Sequence, residues 1–84
     1  MSGRLSIDFA PAEGAVLRML GLVERRGFTV HGIEMREQGE GASLALDVRP
    51  RDAGRQIEVM TAQLKRLIEV RNVSFSPSDS GVSQ

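Results

Sequence analysis

The chain has 84 residues, with 11 Lys and Arg balanced by 11 Asp and Glu, a single His and no Cys, Trp or Tyr, which reads as one small, neutral, soluble domain able to bury roughly 60% of its unfolded surface. The missing cysteines exclude a disulfide framework, a thiolate zinc site and a thiol nucleophile, and a formal net charge of zero disfavours nucleic-acid binding through bulk electrostatics. No apolar run approaches the ~20 residues of a membrane span and residues 1 to 4 carry no signal-peptide pattern, so a cytoplasmic location without membrane attachment is expected.

Leu5, Ile7 and Phe9 alternate with Ser6 and Asp8, the period of a strand with one buried face, and predict a first strand over residues 4 to 9. From Glu13 to Arg26 the apolar residues Val16, Leu17, Leu20 and Val23 recur at helical spacing. Pro11 precedes the first turn, Arg25 and Arg26 suit the negative end of the helix, and Gly27 stops it. Phe28 and Val30 begin a second strand whose buried parity then jumps to Ile33 and Met35; a β-bulge at Gly32 accounts for the jump. Residues 37 to 41 read as a hairpin loop. Leu44, Leu46 and Val48 make a third strand closed by Pro50. Asp52 is placed to cap a second helix, along which Ile57, Met60, Leu64 and Leu67 follow steps of three or four. Val70, Val73 and Phe75 supply a last strand with a change of parity near Asn72. The order β-α-β-β-α-β predicts a ferredoxin-like α+β sandwich over residues 1–76, a four-stranded antiparallel sheet with both helices on one face. Residues 77–84 have little to bury and are expected to form a disordered tail.

That architecture serves many functions, so the residues must decide. Hydrolysis or group transfer needs a nucleophile beside a base, and the one histidine, His31, sits on the second strand with no serine on a strand-to-helix elbow. His31 reads as a polar strand residue beside a bulge. A metal site needs converging His, Cys or carboxylate groups, and the spacing offers none. RNA recognition on such a sheet needs exposed aromatics for base stacking. The outer face instead offers Ser6, Asp8, Ser43, Ala45 and Asp47, while Phe9, Phe28 and Phe75 share the parity of the core. Arg49, Arg51 and Arg55 are interrupted by Asp52 and read as a solvated corner. One feature points to a ligand: Gly14 stands at the mouth of the first helix, where first-turn amides lack intrahelical partners and can receive a carboxylate.

The run Gly14-Ala15-Val16-Leu17-Arg18-Met19-Leu20-Gly21-Leu22-Val23, followed by Arg26-Gly27-Phe28-Thr29-Val30, resembles the ACT-domain signature of the small regulatory subunits of acetolactate synthase (acetohydroxyacid synthase). The segment Gln63-Leu64-Lys65-Arg66-Leu67-Ile68-Glu69-Val70-Arg71-Asn72-Val73 is similar to a second run of the same family. The extent of the chain matches the short, single-domain small subunits. The resemblance implies a non-catalytic chain that binds and activates a thiamine-diphosphate-dependent large subunit. Thiamine diphosphate, Mg and FAD are expected on that partner and no cofactor on this chain. It further implies a homodimer through the second strand and a branched-chain amino acid, usually valine, bound where the first loop meets the partner's second strand. By position, Gly14 and Ala15 would offer amides to the carboxylate, with Pro11 in the loop and Thr29 and Val30 on the partner side. Pro11 and Thr29 stand where the family carries asparagines, and losing two polar contacts, each worth ~1–3 kcal/mol toward an ionised ligand, implies a weakly valine-sensitive activator. The other reading is a free-standing ACT amino-acid sensor serving another enzyme or regulator.

Overall fold

A computed structural model describes residues 2–78. The order is β1 (Gly3–Phe9), α1 (Ala15–Arg25), β2 (Phe28–Gln38), β3 (Gly41–Pro50), α2 (Ile57–Lys65) and β4 (Val70–Pro77). The four strands form one antiparallel sheet in the order β2-β3-β1-β4, which is the ferredoxin-like βαββαβ fold expected from the alternation. β1 and β3 are central because both bury every second residue completely: Leu5, Ile7 and Phe9 pack beside Leu44, Leu46 and Val48. Met19, Leu22 and Val23 of α1 and Met60 and Leu64 of α2 close the core from one side. β2 and β4 are the edges.

Both changes of parity are bulges. His31 is the unpaired residue between the pairs Val30 with Val48 and Gly32 with Asp47, so Ile33 and Met35 regain the helix-side face. A Cβ at Gly32 would lie 2.6 Å from an Asp47 carboxylate oxygen, so a larger residue there would have to displace that half-exposed side chain. On β4, Arg71 is skipped between the pairs Phe9 with Val70 and Asp8 with Asn72. Gly27 ends α1 as anticipated, with a left-handed φ of 93° and its N–H donated to the Glu24 carbonyl at 3.0 Å.

Several expectations shift. The helix opens at Ala15 rather than Glu13, and its buried stripe is turned: Ala15 and Met19 are buried whereas Leu17 is 75% exposed. The side chains facing the sheet decide the rotation, and Leu17 lies outside that arc. The β2–β3 hairpin is tighter than the 37–41 loop, because β2 continues to Gln38 and only Gly39 and Glu40 turn, with Gly39 at φ 58°. Asp52 does not cap α2. Its carboxylate instead accepts the Gly54 N–H at 3.1 Å, forming a local turn that closes before the helix begins at Ile57, and Gln56 holds the cap position without a side-chain bond. α2 stops at Lys65, where Arg66 and Leu67 form tighter i to i+3 bonds to Gln63 and Leu64. Leu67 still packs on the core from that turn. Pro77 belongs to β4, and the Ser78 N–H bonds the Ser2 carbonyl at 2.8 Å. Both residues fall within the tail expected over residues 77–84, whose remainder, residues 79–84, lies outside the described residues.

Candidate functional site

The open face of the sheet is built for water. Arg4 spans two strands, donating from one terminal nitrogen to Asp47 at 3.0 Å and from the other to Glu34 at 2.8 Å. Both pairs are half exposed and contribute little stability. The arginine corner is also accounted for. Arg51 donates to the carbonyls of Glu24 at 2.6 Å and Phe28 at 3.4 Å, satisfying acceptors where α1 ends, and Arg55 pairs with Asp52 at 3.3 Å. Phe9 and Phe28 are buried and Phe75 packs against the core, so no aromatic ring is presented for stacking on the described face. Among the described residues no three His, Cys, Asp or Glu groups converge as a metal site, and no helix is long and apolar enough to cross a membrane.

At the other end of the sandwich the loop from Ala10 to Gly14 lies over the start of β4. The Ala10 N–H donates to the Glu69 carbonyl at 2.8 Å, fixing where the chain leaves β1. Gly14 then takes a left-handed φ of 80° at the helix mouth, a conformation open to glycine at little cost. Pro11 is exposed in this loop and Ala15 is buried beneath it. The Ala15 N–H is bonded to the Ala12 carbonyl at 3.0 Å, so here it is engaged within the loop.

The loop is fastened by a side-chain pair that local sequence patterns did not single out. Glu69 is a buried carboxylate, 6% exposed. Arg18, in the second turn of α1, donates its Nε to Glu69 Oε2 at 2.8 Å, and one terminal nitrogen reaches the same oxygen. Hydrogen bonding from Arg18, followed by the residue's own backbone amide, holds the Glu69 carboxyl below the usual carboxylate range against the opposing effect of burial. The other terminal nitrogen, Nη1, lies toward the mouth: a Cβ built on Gly14 would stand 3.0 Å from it.

Thr29 and Val30 are elsewhere. They start β2 at the far end of α1, and 11 helical residues separate the two places by about 16 Å at 1.5 Å per residue. Thr29 pairs with Arg49 in the sheet, and Val30 lines a groove of about 440 Å³ with Leu20, Glu24, His31, Gly32 and Ile33. One chain thus gathers Pro11, Gly14 and Ala15 in a single loop but does not bring Thr29 and Val30 to them.

The described residues thus form a small ferredoxin-like sandwich whose first helix is opened by a left-handed glycine. The sequence matches the ACT domain family over residues 11–73, from the mouth loop into β4, and the chain belongs to that family, whose domains regulate rather than catalyse. The acetolactate synthase small subunit from Thermotoga maritima superposes with a TM-score of 0.74 and 23% identity over 95% of this chain and 50% of that one; this chain therefore spans half the length of that subunit. The ACT domain from GTP pyrophosphokinase of Chlorobium tepidum gives 0.73 with 10% identity over 90% of this chain and 97% of that chain. A homoserine dehydrogenase from Thiobacillus denitrificans gives 0.70 with 12% identity over 88% of this chain and 16% of that chain. These identities show a common fold. No curated protein matches the sequence significantly.

The depressed carboxyl of Glu69 makes the pair pH dependent. Its stabilisation is present above the ordinary value of 4.5 and is lost as the pH falls through the lower folded value. Arg18→Gln should therefore lower the urea midpoint most at neutral pH, and the gap to wild type should narrow below pH 4.5; a gap that stays constant would contradict this assignment.

Proposed function

We propose that this chain is a regulatory small subunit of acetolactate synthase, which binds the thiamine-diphosphate-dependent large subunit and raises its activity by stabilising a competent conformation. The observation carrying this reading is that the two stretches resembling that family, Gly14 to Val30 and Gln63 to Val73, meet in space through Arg18 and Glu69. Likeness to the Thermotoga small subunit along 95% of the chain supports it. The chemistry stays with the partner, which carries thiamine diphosphate, Mg and FAD. The comparable fit of the GTP pyrophosphokinase domain favours the second reading, an ACT amino-acid sensor serving another enzyme.

The working unit in this proposal is a homodimer paired along β2. β2 is an edge, its residues 29–33 carry no carboxylate or Lys/Arg charge to blunt pairing, and Ile33 and Met35 are 57% and 43% exposed on the helix side. Since β2 runs back alongside α1, antiparallel pairing about a two-fold near the His31 bulge carries the partner's Thr29 toward the level of this chain's helix mouth. The two halves of the effector site are thereby brought together. With Pro11 lacking an N–H and Thr29 offering one hydroxyl, valine is held weakly, at about −4 kcal/mol or less, in the millimolar range or beyond.

Mixing the purified chain with its matching large subunit should raise turnover and give co-elution. Unchanged turnover together with separate elution would overturn the assignment, and amino-acid binding in that case would favour the sensor. In sedimentation the chain should run at dimer mass and Ile33→Asp as a monomer; a wild-type monomer at high micromolar concentration would contradict pairing through β2.

A further inference from the structure

We propose that Arg18 reads the carboxylate of the amino-acid effector and that Glu69 is its positioning residue; the proposal rests on the effector site inferred above. Three observations on the described residues lead to it. The Ala15 amide, one of the two donors expected in this place, is engaged by the Ala12 carbonyl, and Pro11 has no N–H. A carboxylate arriving at the mouth is left with the Gly14 amide of that pair and can take a further donor from a side chain. Arg18 supplies one, because Nε and one terminal nitrogen are held by Glu69 while Nη1 faces Gly14 without an acceptor among the described residues. Gly14 is favoured by its positive φ, and a Cβ there would also press on Nη1 at 3.0 Å and shift the guanidinium.

Burial of Glu69 gives the arrangement its rigidity. A carboxylate that is 6% exposed has no water to turn to, so the guanidinium stays on it and presents its remaining edge in a fixed direction, which is how a forked donor gains specificity without further ordering cost. A guanidinium shared by two carboxylates has a counterpart in this molecule. Arg4 divides its terminal nitrogens between Asp47 and Glu34. At the mouth, Glu69 is the resident carboxylate and the effector supplies the second, its ammonium offsetting the added negative charge. The ligand class is an α-amino acid with a free carboxylate.

The test compares valine with valinamide, which keeps the ammonium and the side chain but replaces the carboxylate with an amide. Side-chain guanidinium NMR signals of Arg18 in the wild-type chain should shift with valine and remain still with valinamide, and valine should bind about tenfold better, the worth of one charge-assisted hydrogen bond at a half-exposed site. Arg18→Gln should abolish that preference, and Arg18→Lys should keep part of it. A purely structural Arg18 would give a lower melting temperature in Arg18→Gln with the preference for valine unchanged, and that result overturns the proposal. Backbone shifts with valine while the Arg18 signals stay still overturn it too, yet leave the effector site standing. No shift with valine at high millimolar concentration removes both.

Discussion

The ion pair between Arg18 and Glu69 sets the arrangement on which the rest of this sandwich depends. One partner comes from the first helix and the other from the turn before the last strand, and the backbone of the same glutamate receives the Ala10 N–H from the end of β1. Three elements are thus tied at one corner. A buried carboxylate with its guanidinium removed would be left uncompensated in a poor solvent for charge, so the pair resists separation even though replacing both partners with apolar groups need not cost much. The helix mouth at Gly14, which stands over this corner, inherits its fixed geometry.

Most of the fold was legible because β1 and β3 alternate without a fault and turn residues stand where the chain reverses. Even the bulges left a trace, as a change of buried parity at His31–Gly32 and at Arg71–Asn72. The misreadings have two physical causes, a neighbour distant in sequence in one case and a competing local partner in the other. Leu17 fits the helical period as well as Met19 does, and only the position of the sheet makes Met19 the buried residue. Asp52 has the chemistry of a helix cap but finds the Gly54 amide first, two residues on. The site was legible to the same degree. Gly14 announced the mouth, while Arg18 and Glu69 lie 51 residues apart. Their only local trace is an arginine within an apolar helix and a glutamate inside the run Leu67 to Val70.

Functionally the molecule divides its proposed site between the ends of one helix. A mouth held by Arg18 and Glu69 lies about 16 Å, by the helical rise, from the strand start that the family resemblance pairs with it. In the proposed dimer the edge strand β2, which runs antiparallel to that helix and carries no carboxylate or Lys/Arg charge over residues 29–33, closes the gap with a second copy. Occupancy at the mouth and pairing along the edge would in that dimer be coupled equilibria.

The most direct measurement is a double-mutant cycle on the corner itself, in which Arg18→Met, Glu69→Met and the double variant are unfolded in urea at neutral pH beside the wild type. If the pair is the fastening described here, Arg18→Met strands a buried carboxylate and is the least stable of the four, while the double variant, with apolar groups in both places, recovers a substantial part of that loss. Losses that simply add, leaving the double variant as the least stable, would show that Arg18 and Glu69 act independently and that the corner is held by something else.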